Sequence, residues 1–505
     1  MAYDVIFILG ERYLDHPLCG IALLKRFLEK NKFSVGIIEL PKTDKDITKL
    51  GKPNLFFGVS SGAIDSMLRN YTALKKDRSL DKNLKYKKEV PDRAVIVYSN
   101  WIRQHFKDSK IVIGGIEASF RRFTHYDYWQ DSLRRSILFD SRADILAYGY
   151  GEKQILEIAQ RLKEKKDLLG ILGTCIRTRE LPSDFVELPS HEEVSKSKEK
   201  FCDMQNILDN TKNLSQKTGN FYVLQYKFPE YTPKDLDEYY EMPFSRKITV
   251  DYMKGFEFSV VTHRGCIGNC NFCSLKLMSN GKIVSRSKES IIREITAITK
   301  LPSFKGNIDD LGGPSANMYG MDCNKCKNSC IDCKSLNKTN SKYIELLREV
   351  KKIPKVKNVF IRSGIRYDLA SDELLKELKP HISGTLKIAP EHVSSSVLEL
   401  MNKNKGDLDE FIKRFKKLNL GQLAFYFMVA HPGSTMTDAR KLAEKIKEYG
   451  NTKSVQVFTP TPMTISTCMY YTGLNPKTKK PIYVARSYKE KKDQRRILGN
   501  MFSED

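Results

Sequence analysis

The sequence predicts an α/β protein in which an N-terminal parallel α/β domain is followed by a second, barrel-like parallel sheet. In residues 1–165, compact β-branched runs alternate with helical periodicity, and in residues 246–470 six strand-like runs alternate with amphipathic segments. Strands that alternate with helices in this way indicate βα units, which build parallel sheets. A chain of 505 residues is long enough for two or three domains.

The N-terminal domain contains five runs that read as buried strands: YDVIFILG, SVGIIEL, NLFFGVSSG, KIVIGGIEAS and ADILAYGYG. Between the first two, Ile21, Leu24, Phe27 and Leu28 recur at helical spacing. The run AVIVYSNWIRQHF fits either a strand or a crossover helix. Ligands of such sheets bind beyond the carboxyl ends of the strands, so we expect a ligand where these glycine-rich ends meet.

Residues 166–245 show weaker periodicity and predict a connecting segment with some helix. Residues 246–470 then contain six strand candidates: FEFSVVTHRG, NIDDLGG, NVFIRSG, TLKIAPE, LAFYFMVAHPG and SVQVFTPTP. A cysteine-rich insertion, residues 321–335, follows the second of these, and residues 471–505 form a basic C-terminal extension. In barrels of βα units the active site lies at the carboxyl ends of the strands.

Three cysteines follow the first barrel strand in a C-x3-C-x2-C loop: Cys266, Cys270 and Cys273. Three thiolates can hold three corners of a 4Fe–4S cluster and leave the fourth iron without a protein ligand. That iron could chelate the amino and carboxylate groups of S-adenosylmethionine (SAM). A zinc knuckle is the alternative, but structural zinc takes four protein ligands, so the pattern favours the cluster.

A second cysteine set lies in the insertion with C-x2-C-x3-C-x2-C spacing: Cys323, Cys326, Cys330 and Cys333. Four thiolates complete either a tetrahedral zinc site or a second 4Fe–4S cluster. We favour iron, which could relay electrons or hold substrate, whereas zinc would only fix the loop. The remaining cysteines are isolated in the sequence and predict packing residues: Cys19, Cys175, Cys202 and Cys468.

Composition narrows the class of protein. No apolar run approaches the ~20 residues that cross a bilayer, and the N-terminus lacks a signal-peptide pattern. Eleven cysteines, seven of them in two clusters, indicate metal or redox chemistry in the cytoplasm rather than a disulfide scaffold. The net charge of +25, with nine basic and two acidic residues in positions 477–496, leaves RNA or another polyanion as a partner hypothesis. Its alternative is a general lysine-rich surface.

Several longer strings resemble the YgiQ-type proteins of the radical SAM superfamily: GERYLDHPLCG, GGIEASFRRFTHYDYW, GGPSANMYGMDC, KIAPEHVSSSVLELMNK and MVAHPGST. The resemblance covers almost the whole chain and implies a partial (β/α)6 radical SAM barrel. In this superfamily a reduced cluster cleaves SAM to methionine and a 5′-deoxyadenosyl radical, which abstracts hydrogen from substrate. A flavodoxin or ferredoxin is then expected as the electron donor. The substrate of this family is not implied.

The resemblance also implies which residues contact SAM. These are Phe272 beside the last loop cysteine, the pair Gly312–Gly313, Glu391, and the pair Pro432–Gly433. A glycine pair admits the backbone close to a ligand, but an ordinary turn is the alternative, and a surface role is the alternative for Glu391. His392 and His431 could donate protons or serve as hydrogen-bonded structural residues.

The N-terminal domain resembles the Rossmann-like, cobalamin-binding domain that precedes the barrel in one group of radical SAM enzymes. The signature of that group is D-x-H-x-x-G, whereas this chain reads Asp15-His16-Pro17-Leu18-Cys19-Gly20, with the histidine one place early. Gly114–Gly115 matches a later glycine pair. The displaced histidine argues against a cobalt ligand, although cobalamin held without one stays open.

Three functions remain. The preferred one is a radical SAM enzyme that binds a 4Fe–4S cluster and cleaves SAM to start radical chemistry on an unknown substrate. The second is a methyl- or methylthio-transferase that acts on RNA or a metabolite. The third is a non-catalytic iron–sulfur protein with a structural or sensing role.

Overall fold

The computed structural model describes residues 2–80, 88–323, 331, 333, 335–404, 406–450 and 452–498. The strands of the N-terminal half are β1 (Val5–Leu9), β2 (Val35–Glu39), β3 (Phe56–Ser60), β4 (Lys110–Gly114), β5 (His125–Asp127), β6 (Ser132–Arg134), β7 (Ile145–Ala147), β8 (Thr174–Thr178), β9 (Val186–Leu188), β10 (Leu214–Thr218) and β11 (Phe221–Gln225). Within the described residues, nine of them form one sheet in the order β2-β1-β3-β4-β7-β8-β11-β10-β9, and β5 and β6 form a separate hairpin.

Helices cover the sheet strands in both halves of the chain. They are α1 (Gly20–Lys30), α2 (Ser66–Asn70), α3 (Ala94–His105), α4 (Gly115–Ser119), α5 (Ile137–Asp140), α6 (Glu152–Lys163), α7 (His191–Lys196), α8 (Lys198–Ile207), α9 (Pro233–Tyr240), α10 (Lys288–Ile298), α11 (Ser341–Lys351), α12 (Asp372–Leu378), α13 (Ser395–Leu400), α14 (Leu408–Lys417), α15 (Met436–Tyr449), α16 (Ile465–Thr472) and α17 (Tyr488–Arg496).

The first five strands of the sheet order, from β2 to β7, are parallel. Strands β1 and β3 are buried along their whole length, as expected for a parallel sheet with helices on both faces. The ambiguous run AVIVYSNWIRQHF is helix α3. Because its buried residues include Tyr98 and Ile102, four positions apart, it packs one helical face on the sheet.

Residues 166–245, which the sequence analysis treats as a connecting segment with some helix, contribute strands β8 to β11 to the same sheet. These strands are short, and several of their buried side chains are polar. Gln216, for example, is buried and accepts a hydrogen bond from the amide of Thr124 at 2.7 Å. Buried polar residues on three- to five-residue strands remove the apolar alternation on which strand prediction depends.

The second half contains six parallel strand positions in chain order, which agrees with the expected partial barrel. The strands are β12 (Ser259–Val261), β13 (His263–Arg264), β14 (Val284–Ser285), β15 (Asn307–Ile308), β16 (Asp310–Gly312), β17 (Asn358–Val359), β18 (Thr385–Glu391), β19 (Gln422–Val429) and β20 (Thr452–Val457). Parallel pairs join β12 to β16, β15 to β17, β18 to β19 and β19 to β20. Strands β13 and β14 form an antiparallel hairpin at the barrel mouth.

The C-terminal segment returns to the N-terminal half. Lys491 on α17 is buried, and its Nζ donates to the hydroxyls of Tyr128 and Tyr470, each at 2.8 Å. Lys479 pairs with Asp203 at 2.6 Å. At least two of the lysines in positions 477–496 therefore make contacts within the protein. Within the described ranges, no helix combines the length and apolar character needed to span a bilayer.

Two of the cysteines that are isolated in the sequence meet in the fold. Cys202 on α8 and Cys468 on α16 are both buried, with their sulfur atoms 3.8 Å apart. Cys175 on β8 is buried in the core, whereas Cys19 at the start of α1 is only partly buried. Apart from this contact, the buried thiols behave as the packing residues that the sequence predicts.

Candidate metal centre

The cysteine loop begins at a glycine that no other residue could replace without strain. Gly265 has φ of +86°, and a Cβ placed on it would lie 1.8 Å from the carbonyl oxygen of Lys282. This close approach lets the chain leave the β13–β14 hairpin directly into Cys266. The three thiols of Cys266, Cys270 and Cys273 are partly buried on the loop that follows.

The surroundings of the loop favour the protonated form of two of its thiols, Cys266 and Cys273. Burial raises the pKa of Cys266, and it raises the pKa of Cys273 to about 12. Because iron binds thiolates, metal binding would have to displace these protons. Among the residues that the structure describes, no three His, Cys, Asp or Glu side chains converge closely enough to hold a metal ion. The structure thus brings the three thiols onto one loop, and their arrangement does not match that of ligands to a single metal ion.

Two buried cations that no sequence motif predicts, Arg366 and Lys403, face this loop. The Nη1 atom of Arg366 lies 3.8 Å from the sulfur of Cys270. Arg366 and Lys403 are both buried and favour the thiolate of Cys266 electrostatically. Cations beside thiolates stabilise the charged form that a metal requires, so the donor set fits an anionic iron–sulfur cluster. No motif distinguishes these residues; only the fold brings them beside the cysteines.

The segment after α13 holds the cysteine loop in place. The amide and side chain of Asn271 donate to the carbonyls of Met401 and Leu400 at 2.9 and 2.8 Å. Asn402 donates in return to the carbonyl of Asn269 at 2.9 Å. These hydrogen bonds fix the loop against the carboxyl end of α13, the helix that follows β18 and Glu391.

Glu391 has the features of a functional carboxylate. It ends β18 beyond a register shift and has φ of +71°, a strained value for a residue with a side chain. Burial raises the pKa of Glu391 to about 7, although Lys403 and Arg366 oppose that rise. Its charge also acts on Cys273. The predicted SAM residue therefore lies close to the cysteine loop and near both cations.

The other predicted SAM residues are close-packed. A Cβ on Gly312 would lie 2.0 Å from the hydroxyl of Ser363, and one on Gly313 would lie 2.6 Å from the ring of His263. Gly433, after Pro432 at the end of β19, donates its amide to the carbonyl of Tyr483 at 2.7 Å. Close contacts with other protein groups explain why glycine stands at Gly312 and Gly313, as the turn or packing alternative expects.

Phe272 and the two candidate histidines lie together at the ends of β18 and β19. The rings of Phe272 and His431 are 6.3 Å apart, edge to face. Both nitrogens of His431 are engaged, with the carbonyl of Pro432 and the hydroxyl of Ser466. Burial lowers the pKa of His431 to about 3 and that of His392 to about 4. Both histidines are therefore neutral, which favours the structural reading.

The second cysteine set adjoins the first. Cys323 and Cys333 pack against a small apolar cluster that also contacts Cys266 and that consists of Ile267, Ile283, Met318, Met321, Leu336 and Leu369. Cys326 and Cys330 lie outside the described residues. Cys323 and Cys333 are therefore next to the cysteine loop.

The N-terminal half supports the cysteine loop from the other side. Arg264, two residues before Cys266, forms a buried ion pair with Glu152 of α6 at 2.7 Å and donates to the hydroxyl of Tyr240 at 2.9 Å. Asn210 donates to the carbonyls of Lys276, Leu277 and Ser279. The two halves of the chain thus meet directly at the metal loop.

His16 does not fit a cobalt ligand. Its ring is buried, with Nε2 3.0 Å from the carbonyl of Glu257 and Nδ1 accepting from the amide of Leu18 at 3.1 Å. Burial lowers its pKa to about 4. A Cβ on Gly115, of the pair Gly114–Gly115, would lie 2.6 Å from the hydroxyl of Ser60. His16 and Gly115, on which the cobalamin resemblance depends, therefore both make contacts within the protein.

Comparison with family profiles divides the chain into three matches. Residues 1–261 match Radical SAM N-terminal, residues 260–446 match Radical SAM superfamily, and residues 453–500 match a domain of unknown function, DUF3362. The UPF0313 protein of Methanocella arvoryzae is 43% identical over 540 residues, which cover 98% of this chain and 90% of the relative. Those of Fusobacterium nucleatum and Methanocaldococcus jannaschii are each 42% identical, cover 98% of this chain, and are themselves covered to 95% and 89%.

Solved structures share the fold at low identity. The radical SAM methyltransferase TsrM from Kitasatospora setae, with cobalamin and a [4Fe-4S] cluster bound, matches with a TM-score of 0.56 and 15% identity over 92% of this chain and 77% of its own. The cobalamin-dependent SAM radical enzyme OxsB, with aqua-cobalamin bound, matches with a TM-score of 0.52 and 13% identity over 99% of this chain and 56% of its own. Both support the arrangement of a Rossmann-like domain before a radical SAM barrel.

Proposed function

The chain belongs to the UPF0313, YgiQ-type family of the radical SAM superfamily, and from that premise we propose that it binds a 4Fe–4S cluster through Cys266, Cys270 and Cys273 and uses it to cleave SAM. The chain is therefore a radical SAM enzyme with an unassigned reaction, and not a non-catalytic iron–sulfur protein. The observation that carries the proposal is the position of three thiols at the barrel mouth beside the buried cation Arg366.

In this proposal the chain supplies three iron ligands and the walls around them. When bound and reduced, the cluster would supply the electron that breaks a carbon–sulfur bond of SAM and releases a 5′-deoxyadenosyl radical. Glu391 would hold a polar group of SAM, because its carboxyl lies near the loop and its pKa of about 7 allows both protonation states at neutral pH. Phe272, the Gly312–Gly313 pair and the Pro432–Gly433 pair would line the remaining surface around SAM.

A second candidate is radical methyl or methylthio transfer to RNA or a metabolite. The similarity of fold to a radical SAM methyltransferase favours it. Both ring nitrogens of His16 are already engaged, so cobalamin, if it takes part, would be held without a ligand from His16. Methyl transfer predicts that S-adenosylhomocysteine accumulates together with or instead of 5′-deoxyadenosine, so product analysis separates the two candidates.

The proposal extends to the partners and the second metal. We assign iron–sulfur or zinc binding to Cys323, Cys326, Cys330 and Cys333, with electron relay or substrate contact as the role if the metal is iron. A flavodoxin or ferredoxin would deliver the electron. The reaction would take place in the cytoplasm, where thiols stay reduced.

The test is anaerobic reconstitution with iron and sulfide, followed by dithionite, SAM and quantification of 5′-deoxyadenosine. Cys270→Ala should abolish SAM cleavage and leave metal at the second cysteine set. Cys175→Ala, which removes a buried thiol of β8, is the matched control and should retain activity. Wild-type protein that holds an intact cluster and forms no 5′-deoxyadenosine would refute the proposal. Loss of all bound metal in the Cys270 variant would contradict two independent sites.

A further inference from the structure

We propose that Arg366 is a positioning residue that raises the reduction potential of the metal centre by directing one N–H group at the sulfur of Cys270. The inference rests on the proposed function, because it concerns a cluster held by the same loop. It assigns a role to a residue that no motif identified, and its readout is a potential rather than SAM cleavage.

The guanidinium of Arg366 contacts two residues, Asp368 and Cys270. Its Nε and Nη2 atoms donate to the two carboxylate oxygens of Asp368, and its Nη1 atom points to Cys270 at 3.8 Å. A two-point contact between a guanidinium and a carboxylate fixes the plane of the group. Asp368 therefore determines where Nη1 points, and Nη1 points at the cysteine loop.

The main chain of Arg366 is fixed as firmly as its side chain. The side chain of Asn317, which is fully buried, accepts from the amide of Arg366 and donates to its carbonyl, each at 2.9 Å. Asn317 follows β16 and Arg366 follows β17, so two neighbouring barrel strands position the cation. The guanidinium is held from both ends, and its direction is a property of the barrel rather than of a mobile side chain.

The cysteine loop leaves space for this group. A Cβ on Gly268 would lie 2.2 Å from Nη1 of Arg366 and 3.3 Å from the sulfur of Cys266. A residue with a side chain at this position would displace the guanidinium from the sulfur atoms. The C-I-G-N-C segment thus carries glycine at the point where the cation reaches between the first two cysteines.

The sign of the effect follows from charge. Reduction adds one negative charge to the cluster and its thiolates, and a buried N–H donor or cation beside them stabilises the more negative state. Hydrogen bonds to sulfur and net charge are established determinants of iron–sulfur potentials. Arg366 is 95% buried, since 5% of its side chain is exposed, so water screens this interaction little. Removal of the guanidinium should make the centre harder to reduce.

The experiment is a redox titration of the reconstituted centre, followed by electron paramagnetic resonance, without SAM. Iron and sulfide per chain are measured in each sample. At a fixed potential, the ratio of reduced to oxidised centre in Arg366→Gln should be at least tenfold lower than in wild type. For a one-electron couple, a tenfold change corresponds to a fall of about 59 mV in reduction potential. Arg362→Gln is the matched control, because Arg362 lies four residues upstream and donates instead to the carbonyl of Gly255 at 2.6 Å. It should titrate as wild type does.

Arg366→Lys is the variant that tests the inference if Arg366→Gln does not hold iron. Lysine keeps the charge but loses the two-point contact with Asp368, so its potential should fall between those of wild type and the glutamine variant. A fully loaded Arg366→Gln or Arg366→Lys protein with the wild-type potential would overturn the inference. Wild-type protein that holds the cluster but does not cleave SAM would refute the proposed function and leave this comparison intact.

Discussion

Gly265→Ala tests whether the hairpin before the cysteine loop determines cluster binding. Gly265 has φ of +86°, and an added Cβ would lie 1.8 Å from the carbonyl oxygen and 2.8 Å from the carbonyl carbon of Lys282. Both obstructing atoms belong to the backbone, so no side-chain rotation can relieve the overlap. The strands of the β13–β14 hairpin would have to separate, and Cys266 would move with them.

The expected loss of folding stability in Gly265→Ala has two contributions. A left-handed backbone costs a residue with a side chain about 1–2 kcal/mol, and forced overpacking typically costs about 1–3 kcal/mol more. Gly219, in the β10–β11 hairpin, has φ of +57° with no atom within 4 Å of an added Cβ. Gly219→Ala therefore carries the first penalty without the second, and the difference between the two variants isolates the overlap.

The assay measures denaturant unfolding of the metal-free proteins and iron per chain after reconstitution. Gly265→Ala should be less stable than Gly219→Ala by about 1–3 kcal/mol and should bind less iron at the first site. Equal stability and equal iron in the two variants would refute the reasoning, because the backbone overlap would then have no consequence.

Two further predictions concern charges near the same loop. Arg264→Gln should destabilise the protein by about 3–5 kcal/mol, because it leaves the buried Glu152 carboxylate without its partner. The control, Arg12→Gln at the exposed Arg12–Glu39 pair, should cost about 0–1 kcal/mol. Equal denaturation midpoints for the two variants would contradict this prediction. The folded pKa of Glu391, about 7, lies above its ordinary 4.5, so folding favours its protonated form and this contribution to stability is lost as pH rises from 4.5 through 7. One pKa unit corresponds to about 1.4 kcal/mol. Between pH 4.5 and 8, the free energy of unfolding of wild type should therefore fall by up to about 3 kcal/mol relative to that of Glu391→Gln. A difference in unfolding free energy that does not change with pH would exclude the raised pKa.

The fold class was predictable because its strands are apolar and its helices periodic. β1, β3 and the six barrel strands all occur where their apolar runs predict them. Residues 166–245 were not predictable in the same way, since residues such as Gln216 are buried through hydrogen bonds rather than through apolar contact. A polar strand of three to five residues carries no periodic signal.

The site was predictable where its residues are close in sequence. The spacing of Cys266, Cys270 and Cys273 identifies the loop directly. Arg366 lies 96 positions after Cys270 and reaches it only because the ends of neighbouring barrel strands converge. His16 was also predictable from sequence, because its displacement by one place in the motif argued against a cobalt ligand and its two hydrogen bonds within the protein agree with that.

The buried lysine of the last helix affects the order in which the protein can be completed during synthesis. Phe458, Met463 and Tyr470 belong to the same apolar core as Ile6, Ile8 and Tyr128, and Lys491 joins that core through two tyrosine hydroxyls. A ribosome releases residues 458–491 only after the nine-stranded sheet and the barrel strands have emerged. The apolar core of the N-terminal half therefore stays incomplete until Lys491 has been synthesised, and iron that arrives earlier would meet a cysteine loop before this core is complete.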